Sequence, residues 1–206
     1  MAPVPGWPAV LQAGPITLRP PRSRDARTWS ELRMRNERWL SPWEPTSMAS
    51  WRDRHSTAAW GATLRALRRA ARAGALLPFM IEYGGRLAGQ ISVAGVIHGS
   101  VRSASAGYWV DSALAGRGIA PTALALTIDH CFSQVRLHRI EVDIRPENSA
   151  SLRVAEKLGL RREGYFERYL DIDGGWRDHV VFGITSEEAA EAPVLSRLAA
   201  LPLPPG

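Results

Sequence analysis

A glycine-bearing turn, Ala115-Gly116-Arg117-Gly118-Ile119-Ala120, combines residue types suited to holding an anion. Glycine lets the backbone approach a ligand closely, and free N–H groups at a helix start converge on negative charge. Arg117 adds a planar positive fork that can meet phosphate at two points. The same residues also suit a plain strand-to-helix turn with a surface arginine, and on this window alone both readings stand. Other chemistry-bearing residues are sparse. Cys131 is the only cysteine, which excludes an internal disulfide and a thiolate zinc cluster, and its place in an apolar stretch makes it a core residue before a nucleophile. The histidines at 55, 98, 130, 138 and 179 are scattered without metal-ligand spacing, so no metal is expected, although His138 sits on a strand that can approach the site.

The turn needs a strand before it and a helix after it, and both are legible. Ala106 to Val110 has the aromatic and β-branched content of a strand. Pro121 suits a first helical turn, and Leu124, Leu126, Ile128, Cys131 and Phe132 give the helix an apolar run fit for a covered sheet face. Upstream, residues 1–15 hold four prolines and two glycines and read as an irregular arm. A short strand at 16–19 leads to a helix capped by Ser23 or Asp25, and Ser41-Pro42-Trp43-Glu44-Pro45 interrupts it. A second helix is expected over 51–72, with Arg65, Arg68, Arg69 and Arg72 outward and Trp60, Leu64 and Leu67 inward.

Residues 76–83 and 86–97 form a hairpin across Gly84-Gly85, with Gly89 and Gly95 as bulge points. After the helix, residues 137–144 alternate, with Ile140, Val142 and Ile144 on one face and Arg139, Glu141 and Asp143 on the other. A helix over 150–158 ends at Gly159, and residues 162–171 and 176–184 form a final hairpin across Asp173-Gly174-Gly175. The remaining 186–206 begin as a short helix and end as a proline-rich tail. This order describes an α+β chain around one mixed sheet. Neither G-x-G-x-x-G nor G-x-x-x-x-G-K-[ST] occurs, which excludes the common dinucleotide and P-loop designs.

With 206 residues, 45% hydrophobic and 22% charged, the chain has the composition of one ordinary globular domain. Residues 1–80 carry 13 arginines against 5 acids, and residues 81–206 carry 13 basic residues against 15 acids, so the net +6 comes from the front half. That asymmetry fits an anionic cofactor or a partner near nucleic acid, such as a ribosomal component, and equally a solvated helix surface. No zinc-finger spacing, RNP-like strand or long basic tail supports direct, sequence-specific nucleic-acid binding. The start, MAPVPGWPAV, lacks a signal pattern and no apolar run reaches membrane-spanning length, so a cytoplasmic protein with no membrane partner is expected.

Three stretches together resemble the GNAT-superfamily N-acetyltransferases, in particular the ribosomal-protein alanine acetyltransferase branch called RimJ/RimL-like. They are GYWVD followed by AGRGIAPTALALTIDHCF, the block HRIEVDIRPENSASLRVAEKLGLRREG, and the hairpin YLDIDGGWRDHVVFGI. The resemblance implies an acetyltransferase domain over 16–185, with helices flanking a mixed central sheet and two strands splayed at the acetyl-CoA site. The family's cofactor motif, Q/R-x-x-G-x-G/A, aligns on Ala115, Gly118 and Ala120, and Ala115 departs from it. By the same resemblance, the amides from Gly116 through Arg117, Gly118 and Ile119 to Ala120 receive the pyrophosphate, and Trp109-Val110 pairs with the pantetheine arm. Val110 N–H becomes the oxyanion donor. Asn148 stands beside the thioester, an asparagine that also suits a helix cap.

The tyrosine that protonates the thiolate in many members is replaced here by Ala155. Ser151 aligns with a serine proposed to assist the leaving thiol, and is equally a helix-start residue. Glu141 is a candidate base for the amine proton, or a surface carboxylate. Glu44 is a candidate attractor for the acceptor's ammonium, with Trp43, Tyr108 and Tyr165 walling the slot or simply packing. The expected reaction is acetyl transfer from acetyl-CoA to a protein N-terminus, such as the N-terminal alanine or serine of a ribosomal protein. Acetylation of a small amine or aminoglycoside, and a non-catalytic CoA-binding or ribosome-associated module, are the alternatives. A monomer or homodimer is expected.

Overall fold

A computed structural model of the chain describes residues 5–199. Its strands are β1 (Leu11–Ala13), β2 (Ile16–Arg19), β3 (Leu76–Tyr83), β4 (Arg86–Ile97), β5 (Ser103–Val110), β6 (Arg139–Ile144), β7 (Arg161–Ile172) and β8 (Gly175–Thr185). Its helices are α1 (Ala26–Arg35), α2 (Glu37–Leu40), α3 (Trp51–Arg54), α4 (Thr57–Arg72), α5 (Ile119–His130), α6 (Ser149–Lys157) and α7 (Ser196–Ala199). One mixed sheet runs in the order β1-β2-β3-β4-β5-β6-β8-β7 and is antiparallel at every step except β5 to β6. No helix among the described residues is long and apolar enough to cross a membrane.

Strand alternation sorts the core onto two faces. In β3, Leu77, Phe79 and Ile81 join the main core with Leu124 and Ile128 of α5 and Ala155 of α6. Met80 turns the other way and meets Trp29, Trp60 and Leu64 of α1 and α4. Each fully buried large apolar side chain contributes about 1.5–3 kcal/mol, so these rows fix which helices cover which face. Cys131 is wholly inside the first core, where burial pushes its thiol up to about 12, and it is inert as a nucleophile.

Both glycines expected at bulges are there: the β3–β4 register shifts at Gly89 and the β4–β5 register at Gly95. Gly89 also meets a steric limit, since a Cβ on it would lie 2.2 Å from the Trp109 carbonyl oxygen. The helix expected over 51–72 is broken. Ser50 and Ser56 each accept a backbone N–H three residues on, at 3.1 and 3.2 Å from Asp53 and Ala59, and so cap α3 and α4 separately.

The arm is not irregular throughout. Leu11–Ala13 pairs with β2, Trp7 packs edge-on against Phe79 with centroids 5.1 Å apart, and His130 Nε2 is 2.7 Å from the Gly6 carbonyl. The tail folds back as well: Val194 is buried, and the N–H groups of Val194 and Leu195 donate to the Asp129 carboxylate at 2.7 and 3.0 Å. Residues 1–4 and 200–206 of these two segments lie outside the described residues.

A buried carboxylate joins α1 to the end of β5. Asp111 is 2% exposed, accepts from Asn36 Nδ2 at 2.9 Å, and is ion-paired with Arg35. Asn36 Oδ1 in turn accepts from Ser112 N–H at 2.9 Å. Burial works to raise the Asp111 pKa, but the bonds from Arg35 and Asn36 outweigh it and hold the carboxyl below the usual range. Its stabilisation is therefore present above the unfolded aspartate value, about 3.9, and lost as pH falls through the lower folded value. Asp111→Ala is expected to lower the unfolding free energy by about 2 kcal/mol at neutral pH by removing the partner of Arg35 and leaving one Asn36 Nδ2 hydrogen unpaired, while Asn36 keeps its bonds to Leu32 O and Ser112 N–H. Denaturant titrations of both proteins should converge on acidification.

Candidate active site

The one parallel pair among the described strands, β5 with β6, separates after three residues. Ser103, Ala104 and Ser105 pair with Arg139, Ile140 and Glu141, and no pairing follows although both strands continue. Strand β5 stays bonded to β4 as far as Val110, and β6 stays bonded to β8 as far as Ile144. Because Asp111 N–H donates to Ala88 O at 2.8 Å, ladder alternation turns the N–H and C=O of Val110 and Tyr108 away from β4, into the gap. An extended ligand in that gap meets strand-like backbone groups on its β5 side.

The turn follows at the gap's mouth. Gly116 and Gly118 have φ of +80° and +74°, a left-handed conformation that only glycine adopts without strain, and Gly118 is the N-cap of α5. Gly118 offers no side-chain cap, and the amides of Gly116, Arg117, Gly118, Ile119 and Ala120 have no acceptor among the described residues. A converging set of free amides at a helix N-terminus fits a pyrophosphate. Gly116, Gly118, Ile119 and Ala120 line a cleft of about 460 Å³ that continues to Tyr108, Trp109, Val110, Asn148 and Ser151. The Arg117 side chain, a phosphate candidate from the sequence, is exposed and does not line the cleft. Arg153 and Lys157 of α6 do, and their i,i+4 spacing puts both cations on one helix face.

Helix α6 starts at the far side of the gap. Asn148 Oδ1 accepts from Ser151 N–H at 3.1 Å, so the asparagine caps the helix and keeps its amide NH₂ for a ligand. Tyr108, expected in the acceptor wall, lies instead on the core face of β5 with Ala104 and Ala106. Its hydroxyl is closed off from solvent and has no hydrogen-bond partner among the described residues. Burial pushes its pKa up to about 12, against a smaller opposing influence from Ser151.

The opposite face of the sheet is walled by α1 and the Ser41–Pro45 segment. The Arg33 guanidinium lies between the rings of Trp51 and Trp109, 4.8 and 5.0 Å from their centroids. Its Nη2 donates to Glu44 at 2.5 Å and to His55 Nε2 at 2.8 Å. Burial, then Arg33 and Arg54, push His55 down to about 3, so the ring is neutral and accepts at Nε2 while Nδ1–H donates to the Trp51 carbonyl. Glu44 lines the cleft but is already neutralised by Arg33, which corrects its reading as a free attractor of ammonium. Trp43 lines the cleft with Arg145 5.3 Å over its ring, and Arg145 Nη1 donates to Pro42 O at 2.6 Å.

Two further candidates lie outside the cleft. Glu141 accepts from Arg139 Nε at 2.8 Å and does not line the cleft. Tyr165 is also outside it, with its hydroxyl donating to Asp178 at 2.6 Å on the exposed hairpin. Asp143 and His179 do line it, and neither was singled out from sequence. Asp143 shares a strand face with Glu141, and alternation alone does not tell which of them lies beyond the point where the strands separate. Among the described residues no group of three or more His, Cys, Asp or Glu is placed to hold a metal.

The profile of the acetyltransferase (GNAT) domain matches residues 16–161. The chain is 28% identical over 176 residues to the ribosomal protein uS5-alanine N-acetyltransferase of Escherichia coli, an alignment covering 84% of this chain and 89% of that one. It is 39% identical over 103 residues to YjcK, a probable N-acetyltransferase of Bacillus subtilis, which covers 50% of this chain but only 57% of that one. Mycobacterium smegmatis RimJ, solved in complex with CoA-disulfide, superposes with a TM-score of 0.92 at 45% identity over 95% of this chain and 96% of that chain. The chain belongs to the GNAT acetyltransferase family. It is an acetyl-CoA-dependent N-acetyltransferase, and the open amides of the turn together with the unpaired edge of β5 suit that cosubstrate.

Replacing Arg153 and Lys157 together by alanine is expected to weaken CoA binding roughly tenfold or more, since charge-assisted hydrogen bonds contribute about 1.5–3 kcal/mol each. Arg117→Ala should cost less than about threefold, the range of an exposed charge. Calorimetric titration with CoA measures both; a larger loss from Arg117→Ala would reverse the order.

Proposed function

We propose that the enzyme transfers the acetyl group of acetyl-CoA to the N-terminal amine of a ribosomal protein, with alanine or serine at that terminus. The observation that carries this reading is the gap between β5 and β6, which passes through the sheet. On one face it meets the α5 and α6 starts; on the other it meets a slot lined by Gln90, Ser92, Gly107, Trp39 and Trp43. A slot of that kind suits an extended chain end. The relatives named for acetylating ribosomal protein alanine match over most of the chain and supply the acceptor class. Such an acceptor is met in the cytoplasm.

When bound, acetyl-CoA supplies an activated thioester carbonyl, and this chain's residues have defined tasks around it. Val110 N–H, turned into the gap, donates to the oxygen that gains charge during attack. The amide of Asn148 fixes the arm near its end. Ser151, with the Tyr108 hydroxyl beside it, returns a proton to the departing sulfur, which answers the absence of a tyrosine at Ala155. Holding the amine and the carbonyl in one slot supplies much of the remaining rate.

A small cationic substrate would need an acidic slot, and the pairing of Glu44 with Arg33 removes one of the few carboxylates available to it. A non-catalytic CoA-binding module would bind acetyl-CoA without turnover. Incubating the protein with acetyl-CoA and synthetic N-terminal ribosomal peptides, followed by tandem mass spectrometry, is expected to show one acetyl group on the α-amine of peptides beginning with alanine or serine. Absence of acetylation on every peptide would overturn the assignment.

A further inference from the structure

We propose that the exposed side of α4 docks the enzyme on the phosphate backbone of structured RNA. The choice of RNA rests on the reading of the acceptor as a ribosomal protein; the cationic surface does not. Helix α4, TAAWGATLRALRRAAR, carries four arginines and no acid over 16 residues. Trp60, Leu64 and Ala71 set its buried side, and Arg65, Arg68, Arg69 and Arg72 are exposed. Their i, i+3, i+4 and i+7 spacing puts all four on one stripe, about 10 Å long along the helix axis.

This charge has no use inside the protein. None of the four side chains makes an ion pair or a hydrogen bond among the described residues, and carboxylates of the surrounding elements are engaged elsewhere. Asp25 and Glu82 hold Arg19, Glu31 holds Arg27, and Glu44 holds Arg33. Arg65 with Arg69 and Arg68 with Arg72 are like-charge i,i+4 pairs, which weaken a helix. The helix dipole offsets this for Arg69 and Arg72 in the last turn, but not for Arg65 and Arg68. A helix face that is merely solvated ordinarily mixes both signs.

The cosubstrate does not account for the stripe either. Met80 meets Trp60 and Leu64 on one face of the sheet, whereas α5 and α6, with the open amides, Arg153 and Lys157, cover the other. The stripe thus belongs to the face with the acceptor slot, one helix further out. Trp29 of α1 packs on Trp60 with centroids 4.8 Å apart, and its Nε1 is 3.4 Å from Oε1 of Gln90, which lines the slot.

The partner's chemistry follows from the stripe's surroundings. A protein partner needs aromatic or aliphatic anchors, and the exposed neighbours on α4, Ala58, Ala62 and Ala66, are small. Unpaired bases would have no ring here to stack on. A row of guanidinium forks suits the phosphate oxygens of a double helix, contacted without reading sequence. A ribosomal protein sits on folded RNA, so an enzyme that reaches its N-terminus there meets that backbone too.

The test is fluorescence anisotropy with a labelled RNA duplex of about 20 base pairs, titrated at several salt concentrations. Wild-type affinity is expected to fall about a hundredfold between about 50 and 200 mM salt, the slope of four phosphate contacts. Replacing all four arginines by glutamine should cost about tenfold or more at the lower salt and flatten that slope. CoA affinity should be kept, and the thermal midpoint should hold or rise as the like-charge pairs go. Arg65→Gln with Arg69→Gln should weaken RNA binding by more than about threefold, whereas Arg136→Gln with Arg162→Gln, an equal loss of exposed charge elsewhere, should stay within about twofold. Unchanged affinity in the four-site variant, an equal loss from the off-stripe pair, or tighter binding of a DNA duplex or an oligoglutamate than of the RNA would overturn the proposal. Peptide acetylation is read separately: RNA binding with no acetylated peptide overturns the acceptor assignment alone, and acetylated peptides without RNA binding overturn the docking surface alone.

Discussion

The site depends on two parallel strands that part while each remains bound to its other neighbour. Unpaired backbone groups inside a sheet are costly, so a gap of this kind persists only if both halves are held rigidly from outside. Strand β5 is held by β4 along its length, with Gly89 permitting the close approach to the Trp109 carbonyl, and β6 is held along its length by β8. The gap opens at the carboxyl ends of the parallel pair, where α5 and α6 both begin, so two helix N-termini face the same space. That one arrangement suits anion binding, strand-like pairing of an extended arm and stabilisation of an oxyanion.

Charge is distributed around the gap according to what each side receives. On the α5 and α6 side there are open amides with Arg153 and Lys157, suited to phosphate. On the other side the strongest charges are closed off: Arg33 is shared among Glu44, His55 and two tryptophan rings, and Arg139 is shared between Glu141 and Glu163. These pairs hold the Ser41–Pro45 segment and the final hairpin in place. Thr46 adds to this by accepting from Gly174 N–H and donating to Asp171, which ties that segment to the hairpin tip. Among the described residues, Asp143 is then the cleft-lining acid without an arginine or lysine ion pair.

The donor half of the site was legible because its signals are local. Gly116, Gly118 and Pro121 mark a turn and a helix start within six residues, and Asn148 with Ser151 has the spacing of a cap. The acceptor half was not. Glu141 and Asp143 are equivalent in the alternation of β6, and what separates them is where β5 departs, a non-local fact. Glu44 and Tyr165 look free in the sequence because their partners, Arg33 and Asp178, are 11 and 13 residues away. The side on which Tyr108 stands was unreadable for the same reason: a strand's facing is set by its pairing, not by its composition. The break at His55 was readable from the two serine caps, but an apolar pattern continuing across it concealed them.

The most direct measurement is a crystal structure with a bisubstrate analogue that joins CoA to an N-terminal ribosomal peptide through its α-nitrogen. The pyrophosphate is expected on the amides of Gly116 to Ala120, the arm between β5 and β6 against the backbone of Tyr108 and Val110, and the peptide nitrogen on the side of the sheet lined by Gln90, Ser92 and Gly107. A pyrophosphate bound away from the turn, or a peptide entering from the α5 face, would contradict it.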